Sequence, residues 1–255
     1  MDREIIKSDL ISITIDVDWA CPEVLNDTLS LLNERGISGT IFCTHPGINA
    51  PGHELALHPN FRRNGDSMIR LKQEVGNRFE GLSETEIYKY IVKLTRSFCP
   101  EATGVRAHSL FYDSLLLPIY HEAGLRYESS YLLPLTEGLH PVWKEYDILE
   151  IPIYFNDHFE LKSGMADFKI ENLHLEKPGL KVFQFHPNML FINAATNEQY
   201  LESKPYYHHY KKLLSLRNNN RGARTLFLDL LDWISANRLQ TATLSEVNSE
   251  WRNNN

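Results

Sequence analysis

The chain has 255 residues, 42% of them hydrophobic, which is enough to bury the core of a single α/β domain over residues 1–255. Its formal net charge is −7 and its basic residues are not clustered, a balance that argues against nucleic-acid binding. No apolar run reaches the roughly 18 residues of a membrane span, and the first residues lack a secretory signal, so we expect a cytoplasmic protein without a membrane span.

The predicted elements alternate between strands and helices, which is typical of a parallel α/β fold. The predicted strands cover residues 10–15, 39–44, 53–57, 104–106, 148–155 and 180–185. The predicted helices cover residues 22–35, 83–98, 115–123 and 223–236. The second of these helices begins with a capping box formed by Ser83 and Glu86. The polar stretch 197–220 is expected to cross the surface or the active site, and the tail 251–255 is expected to fray.

Two carboxylates directly follow the first predicted strand. Asp16 and Asp18 are spaced i, i+2, so both side chains can point the same way. Like charges held this close repel each other unless a cation lies between them or one of them acts as a base, and the pair therefore favours a metal-dependent hydrolase. The alternative is that both aspartates only cap the following helix.

Polar residues also follow the later strands. The carboxyl ends of parallel strands meet at one edge of a sheet, where α/β proteins bind their ligands, so we expect these residues to join the two aspartates in one site. They are His45, His58, Arg106, His108, Asp157 and His186.

Several segments follow, in order, the motifs of a known family. They are residues 12–18, 39–44, 52–58, 104–106, 150–152, 183–186 and 243–247. In these motifs the chain resembles the NodB-homology polysaccharide deacetylases of carbohydrate esterase family 4, and in particular the WbmS-like branch associated with surface polysaccharide (O-antigen) biosynthesis. The resemblance implies an α/β fold, a distorted (β/α) barrel of about seven strands. It also implies a divalent metal and hydrolysis of an N-acetyl or related acyl group on a sugar.

The resemblance implies a role for four of the strand-end residues. Asp16 would be the general base, Asp18 and His58 would bind the metal, and His186 would be the general acid that protonates the departing nitrogen.

Arg106 and Asp157 resemble the charged pair that orients the base, in which each charge holds the other in place. Further residues near the strand ends are candidates for contact with the substrate: His45, Trp19, Tyr154 and Asn188.

One position departs from the family's motifs. The family has a second histidine four residues after the first, and here that position is Arg62. An arginine cannot ligate a cation, because it stays protonated and has no free lone pair. We expect His108 to supply the third ligand instead, with His45 as the second choice.

One aspartate and two neutral histidines suit Zn²⁺ best, although Co²⁺, Ni²⁺ and Fe²⁺ also use these ligands. The leading hypothesis is a metal-dependent N-deacetylase that acts on a nucleotide-linked or lipid-linked acylated amino sugar. The alternatives are a deformylase or metal-independent amidohydrolase on the same fold, and a catalytically silent sugar-binding subunit. The oligomeric state stays open.

Other conspicuous residues have structural readings. The cysteines at 21, 43 and 99 are odd in number and widely spaced, which favours reduced thiols. His53 is expected on the face opposite His58 and so to be structural. His208 and His209, among three tyrosines, could belong to a sugar-stacking surface or to an ordinary helix face.

Overall fold

The computed structural model describes residues 10–164 and 167–254, and within these ranges one nine-stranded sheet forms the centre of the protein. Its strands are β1 (Ile11–Asp16), β2 (Thr40–Cys43), β3 (Glu54–Leu57), β4 (Gly104–Val105), β5 (Tyr127–Glu128), β6 (Val142–Trp143), β7 (Leu149–Glu150), β8 (Phe155–Asn156) and β9 (Lys181–Phe185). They lie in the order β6-β7-β5-β4-β3-β2-β1-β9-β8, and only the β6–β7 pair is antiparallel. The catalytic candidates at the strand ends therefore face one edge.

Helices cover the outside of this sheet. They are α1 (Pro22–Asn33), α2 (Asp66–Val75), α3 (Glu84–Arg96), α4 (Leu116–Glu122), α5 (Asp157–Ser163), α6 (Pro187–Phe191), α7 (Asn197–Ser203), α8 (Tyr210–Ser215), α9 (Ala223–Asn237) and α10 (Leu244–Asn254). The predicted capping box at Ser83 and Glu86 is confirmed at the start of α3. No helix of the described residues is both long and apolar enough to cross a bilayer.

The two central strands are buried on both faces. Every residue of β1 and β9 is buried, as expected for parallel strands covered by helices on one side and by the barrel interior on the other. Ile13, Ile15 and Phe185 join the apolar residues of α1, α6 and α9 in the largest core cluster. This packing fixes the ends of β1 and β9, from which two of the candidate catalytic residues extend.

The predicted strand 148–155 is divided into β7 and β8. Pro152 lies between them and has no N–H group to donate to a neighbouring strand. The N–H of Ile151 donates to the Glu128 carbonyl at 2.8 Å, whereas the N–H of Tyr154 donates to the Val182 carbonyl at 2.9 Å. One short segment thus borders β5 on one side and β9 on the other, which curls the sheet on itself.

The predicted distorted barrel is confirmed by this closure. The described residues form nine strands, whereas the sequence pattern predicts six and the family resemblance implies about seven. Nine result from the six because one predicted strand is divided and because β5 and β6, of two residues each, have no predicted counterpart.

The expected fraying of the tail is wrong for the described residues, since α10 continues to Asn254. The Trp251 ring stacks on the His140 ring with centroids 5.6 Å apart, and Arg252 Nη1 donates to Asp147 Oδ1 at 2.7 Å. These contacts hold the last turn against the barrel. Asn255 lies outside the described residues.

A buried charged group, which we call the Lys144 cluster, lies at the ends of β5 and β7. The Lys144 ammonium forms ion pairs with Glu128 and with Glu150, whose side chains are 3% and 2% exposed. It also lies 4.1 Å from the ring centroid of Tyr131. Burial and the neighbouring Glu128 charge raise the pKa of Glu150 to about 8, although Lys144 opposes the shift. Lys144 therefore brings one positive charge to two carboxyl groups that have left water, of which Glu150 keeps its proton near neutral pH.

Replacing Lys144 by methionine should lower the free energy of unfolding by about 3 kcal/mol, because it removes the cation that pairs with two buried carboxyl groups. The loss should be larger at about pH 9 than at about pH 6. Folded wild-type protein keeps the Glu150 proton up to about pH 8, and without Lys144 the folded-state pKa of Glu150 rises further, so at about pH 9 the folded variant still holds a proton that the wild type and the unfolded chain have released.

Urea unfolding at both pH values measures this effect. Lys89→Met is the matched control, since Lys89 pairs with Glu122 on the surface, where both side chains are about half exposed. Equal losses for the two variants at both pH values would contradict a stabilising role for the Lys144 cluster.

Candidate active site

A cavity of about 410 Å³ opens at the carboxyl ends of β1, β8 and β9. This is the edge at which parallel α/β proteins bind their ligands. Asp16, Asp18 and His186 contribute to its lining. The lining also includes aromatic side chains and cations: Trp19, Phe159, Tyr200 and Tyr207, and Arg62, Lys162 and Lys204.

Asp16 ends β1 and is 1% exposed. Arg106 Nη1 donates to Asp16 Oδ1 at 2.7 Å, and Gln184 Nε2 donates to Asp16 Oδ2 at 2.6 Å. Burial raises the pKa of Asp16, but the charge of Arg106 and then that of His58 outweigh burial, and the pKa is lowered overall. The carboxylate is therefore held in one orientation and stays ionised.

The chain turns sharply after β1, and this turn positions Asp18. Asp18 and Trp19 have φ values of 44° and 58°, in the left-handed region that few non-glycine residues adopt. Asp18 Oδ1 lies 3.0 Å from His108 Nδ1 and 3.3 Å from His58 Nε2. Burial raises the pKa of Asp18, but the neighbouring histidines lower it well below its ordinary value.

The hydrogen bonding of His58 favours a cation between its ring and the carboxylates of Asp16 and Asp18. Its Nδ1 lies 2.7 Å from the Arg106 carbonyl oxygen, which can only accept a hydrogen bond, so Nδ1 carries the proton in the neutral ring. The other nitrogen, Nε2, is buried without a hydrogen-bond partner and lies 3.6 Å from Asp16 Oδ2. A lone pair facing carboxylate oxygens away from water is unfavourable unless a cation lies between them.

One ligand atom from each of Asp18, His58 and His108 lies within 4.8 Å of the other two. One carboxylate oxygen and two imidazole nitrogens form the donor set of many divalent-metal sites with an open position. The structure thus brings together the three residues expected to bind the metal, and their role as ligands stays a prediction.

His186 follows β9 and is oriented by Asp157, which is fully buried. The His186 Nδ1–H donates to Asp157 Oδ1 at 2.6 Å, and the backbone N–H of His186 donates to Asp157 Oδ2 at 2.9 Å. The opposite nitrogen, Nε2, lies 3.8 Å from Asp18 Oδ2. Burial lowers the pKa of His186, but Asp157 and then the two other aspartates raise it to about 10. His186 can therefore hold a proton beside the candidate metal centre.

The expected pairing of Arg106 with Asp157 is wrong, because each has a different partner. Arg106 binds Asp16, whereas Asp157 binds His186. The reason lies in the sheet order: β8 pairs with β9, so the residue after β8 reaches the residue after β9. The base and the acid candidates each have their own counter-charge.

Of the four expected substrate contacts, the structure places Trp19 in the cavity lining and the other three outside it. His45 Nδ1 lies 3.0 Å from the Pro46 carbonyl oxygen. Tyr154 is packed in the apolar core, where its hydroxyl donates to the Leu173 carbonyl at 2.8 Å. Asn188 is buried, and its Nδ2 donates to the Asp18 carbonyl at 3.5 Å. Hydrogen bonds direct these side chains away from the cavity, and those of Tyr154 and Asn188 join segments that are distant in the sequence, so the sequence pattern does not reveal them.

A further residue of the site, Gln184, is not among the predicted ones. Its Oε1 accepts from Asn156 Nδ2 at 2.6 Å, which fixes the amide so that its Nε2 donates to Asp16. A signal for it exists in the sequence, since Gln184 lies two residues before His186 and alternation along β9 puts both on one face.

The polar stretch 197–220 covers the cavity in part. Tyr200 of α7 and the following Lys204 and Tyr207 contribute to its lining, whereas His208 and His209 do not. Of the two expectations for this stretch, passage over the active site is the one that the structure supports. His53, as expected, has a structural contact, because its Nδ1 accepts from the Gly39 N–H at 3.1 Å.

Comparisons with known proteins agree with this geometry. A family profile described as WbmS-like, polysaccharide deacetylase, matches residues 13–204. The chain is similar to a Bordetella bronchiseptica protein assigned as a polysaccharide deacetylase involved in O-antigen biosynthesis, with 27% identity and a TM-score of 0.73 over 89% of this chain and 91% of that chain. A Mycobacterium smegmatis protein assigned as a polysaccharide deacetylase shares the fold, with 14% identity and a TM-score of 0.55 over 99% and 93% of the two chains. A search of curated proteins found no match.

The wild-type protein, purified without a histidine tag or chelator, should bind about one divalent ion per chain. His108→Ala should weaken this binding by more than about 100-fold, because it removes one of three protein ligands. Elemental analysis and titration with Zn²⁺ measure the effect. His45→Ala is the matched control and should bind as the wild type does, since His45 lies outside the Asp18, His58 and His108 group. Metal retained by His108→Ala and lost by His45→Ala would reverse the ligand assignment.

Proposed function

The chain belongs to the WbmS-like family of polysaccharide deacetylases, and we propose that it is a divalent-metal-dependent hydrolase. It removes an N-acetyl or related acyl group from an amino sugar. The reaction belongs to the assembly of a surface polysaccharide, such as O-antigen. The observation that carries the proposal is the convergence, at the carboxyl ends of the strands, of three candidate metal ligands with the buried Asp16 carboxylate and with His186, whose pKa is raised.

A divalent ion held by Asp18, His58 and His108, most suitably Zn²⁺, would polarise the acyl carbonyl and lower the pKa of a water molecule. The protein's own residues manage the protons. Asp16 is placed to accept the proton of the attacking water, because Arg106 keeps it ionised and Gln184 fixes its orientation.

His186 is placed to protonate the departing nitrogen, which is necessary because an amide anion is a very poor leaving group. Asp157 fixes the ring by accepting the Nδ1–H and stabilises the charged form, so that Nε2 is the nitrogen directed towards the site. The reaction consumes one water and yields a free amine and a carboxylic acid. Two titratable groups are suited to act as base and acid when the environment of the first keeps it ionised and the environment of the second keeps it protonated.

We further propose that the substrate is a nucleotide-linked or lipid-linked precursor and that the reaction takes place in the cytoplasm, within one catalytic domain over residues 1–255. The state of the cysteines supports the compartment, since Cys21, Cys43 and Cys99 are all buried and free. The continuous sheet from β1 to β9, with α10 packed beside it, supports the single domain.

Asp16→Asn should lower kcat for acyl release by about 10²–10⁴ while the protein keeps its metal, because the amide cannot accept the proton. Asp18→Asn and His58→Ala should instead lose the metal. Amine formation from a panel of free, nucleotide-linked and lipid-linked N-acyl sugars, with elemental analysis, separates the two classes of variant.

The Asp16 variant leaves the buried Arg106 without a counter-charge, so its folding must be verified by circular dichroism. His186→Gln provides a second test, with a comparable loss of kcat and retained metal. Near-normal activity in a folded, metal-containing Asp16→Asn protein would show that Asp16 is not the base.

Removal of the metal by chelation should abolish acyl release, and Zn²⁺ or Co²⁺ should restore it. Thermal melting of the apoprotein distinguishes lost catalysis from lost folding. Full activity in a protein shown to contain no metal would support the metal-independent amidohydrolase instead.

A further inference from the structure

Three cations line the cavity around the catalytic group. Arg62 lies beyond β3, Lys162 is on α5, and Lys204 directly follows α7. Three separate segments of the chain therefore bring positive charge to one cavity. This accumulation runs against the overall balance of the chain, whose formal net charge is −7.

Among the described residues, these three cations have no carboxylate partner at salt-bridge distance. Arg62 Nη2 donates to the neutral hydroxyl of Ser109 at 2.6 Å, and the Lys204 ammonium lies 4.9 Å from the ring centroid of Tyr200. Burial, followed by the charges of Lys162 and Arg62, lowers the pKa of Lys204. The three charges thus repel one another, and an anion between them would relieve this repulsion.

Aromatic side chains line the same cavity. Trp19 is fixed by a hydrogen bond from its Nε1 to Asp66 Oδ2 at 3.0 Å, and Tyr200 and Tyr207 lie across the cavity lining. The Tyr207 hydroxyl is buried and interacts with the side chain of Tyr200. Aromatic faces with a polar tip suit a ligand that is partly apolar and partly hydroxylated, as sugars are.

We propose that the acylated amino sugar carries an anionic group, either a phosphate of its carrier or a carboxylate of the sugar, and that Arg62, Lys162 and Lys204 bind this group. The inference rests on the proposed deacetylase function and names the substrate class. Arg62 then binds the anionic group of the substrate. In the polysaccharide deacetylases that the chain resembles, a histidine stands at this position. A guanidinium suits this role because its donors match the planar geometry of carboxylate and phosphate.

Calorimetric titration of the metal-containing protein tests this inference. The probes are UDP-N-acetylglucosamine, N-acetylglucosamine 1-phosphate, an N-acetylated amino-sugar uronic acid, and the neutral methyl glycoside of N-acetylglucosamine. At least one anionic probe should bind about tenfold more tightly than the neutral glycoside, and added salt should reduce this advantage. Preference for the phosphates or for the uronic acid identifies the source of the charge.

The double variant Lys162→Met, Lys204→Met should weaken binding of the preferred anionic probe by about tenfold and leave the neutral probe unchanged. Lys93→Met is the matched control, because Lys93 is exposed on α3 and does not line the cavity. Equal affinity for charged and neutral probes, no binding of any probe, or equal behaviour of the double variant and the control would each overturn the inference.

Acyl release from the same probes separates this inference from the proposed function. Acyl release that is equally efficient for charged and neutral probes would overturn the anionic substrate and leave the deacetylase intact. Charge-dependent binding without acyl release from any probe would support the anion site and overturn the deacetylase.

Discussion

The buried ion pair between Arg106 and Asp16 is the interaction on which the rest of the site depends. Arg106 is fully buried, and its Nη1 also donates to Thr14 of β1, while its other nitrogens donate to Ser129 beyond β5 at 2.8 Å. Phe42 of β2 covers one face of the guanidinium at 4.2 Å. A cation removed from water is tolerated only when it is paired and fully hydrogen-bonded. The contacts of Arg106 join the end of β4 to the end of β5 and to β1, although β3 and β2 lie between β4 and β1 in the sheet. The same contacts therefore orient the carboxylate.

The parts of the site that could be predicted belong to strand ends. The spacing of Asp16 and Asp18 after an apolar run indicates a site at the end of the strand. Strand geometry places Asp16 at this edge, whereas the left-handed turn that follows β1 places Asp18. The same reasoning places His108 near the two aspartates, since it lies two residues after Arg106. The alternation of strands and helices predicts a parallel α/β fold, and the resemblance to the family adds that the sheet curls into a distorted barrel.

The parts that could not be predicted depend on contacts between distant segments. The partner of Asp157 is set by which strands are neighbours, and the pattern of apolar residues does not record strand order. Tyr154 is directed into the core by carbonyl groups of a loop about twenty residues away, which no local spacing indicates. Lys162 lies on α5 and Lys204 directly follows α7, and packing of these short helices brings both side chains to the cavity. In the sequence alone, the two lysines look like ordinary solvent-exposed residues.

The segment that joins β7 to β8 acts as the seam of the barrel. β7, before this segment, contains Glu150 of the Lys144 cluster. The segment itself donates backbone hydrogen bonds to β5 and to β9. Asp157 directly follows β8 and binds His186. Opening the seam would therefore separate the strands, expose a buried carboxylate, and withdraw the support of the acid at the same moment. The same short segment thus links the closure of the barrel to the support of the acid, so we expect the two to be lost together when it opens.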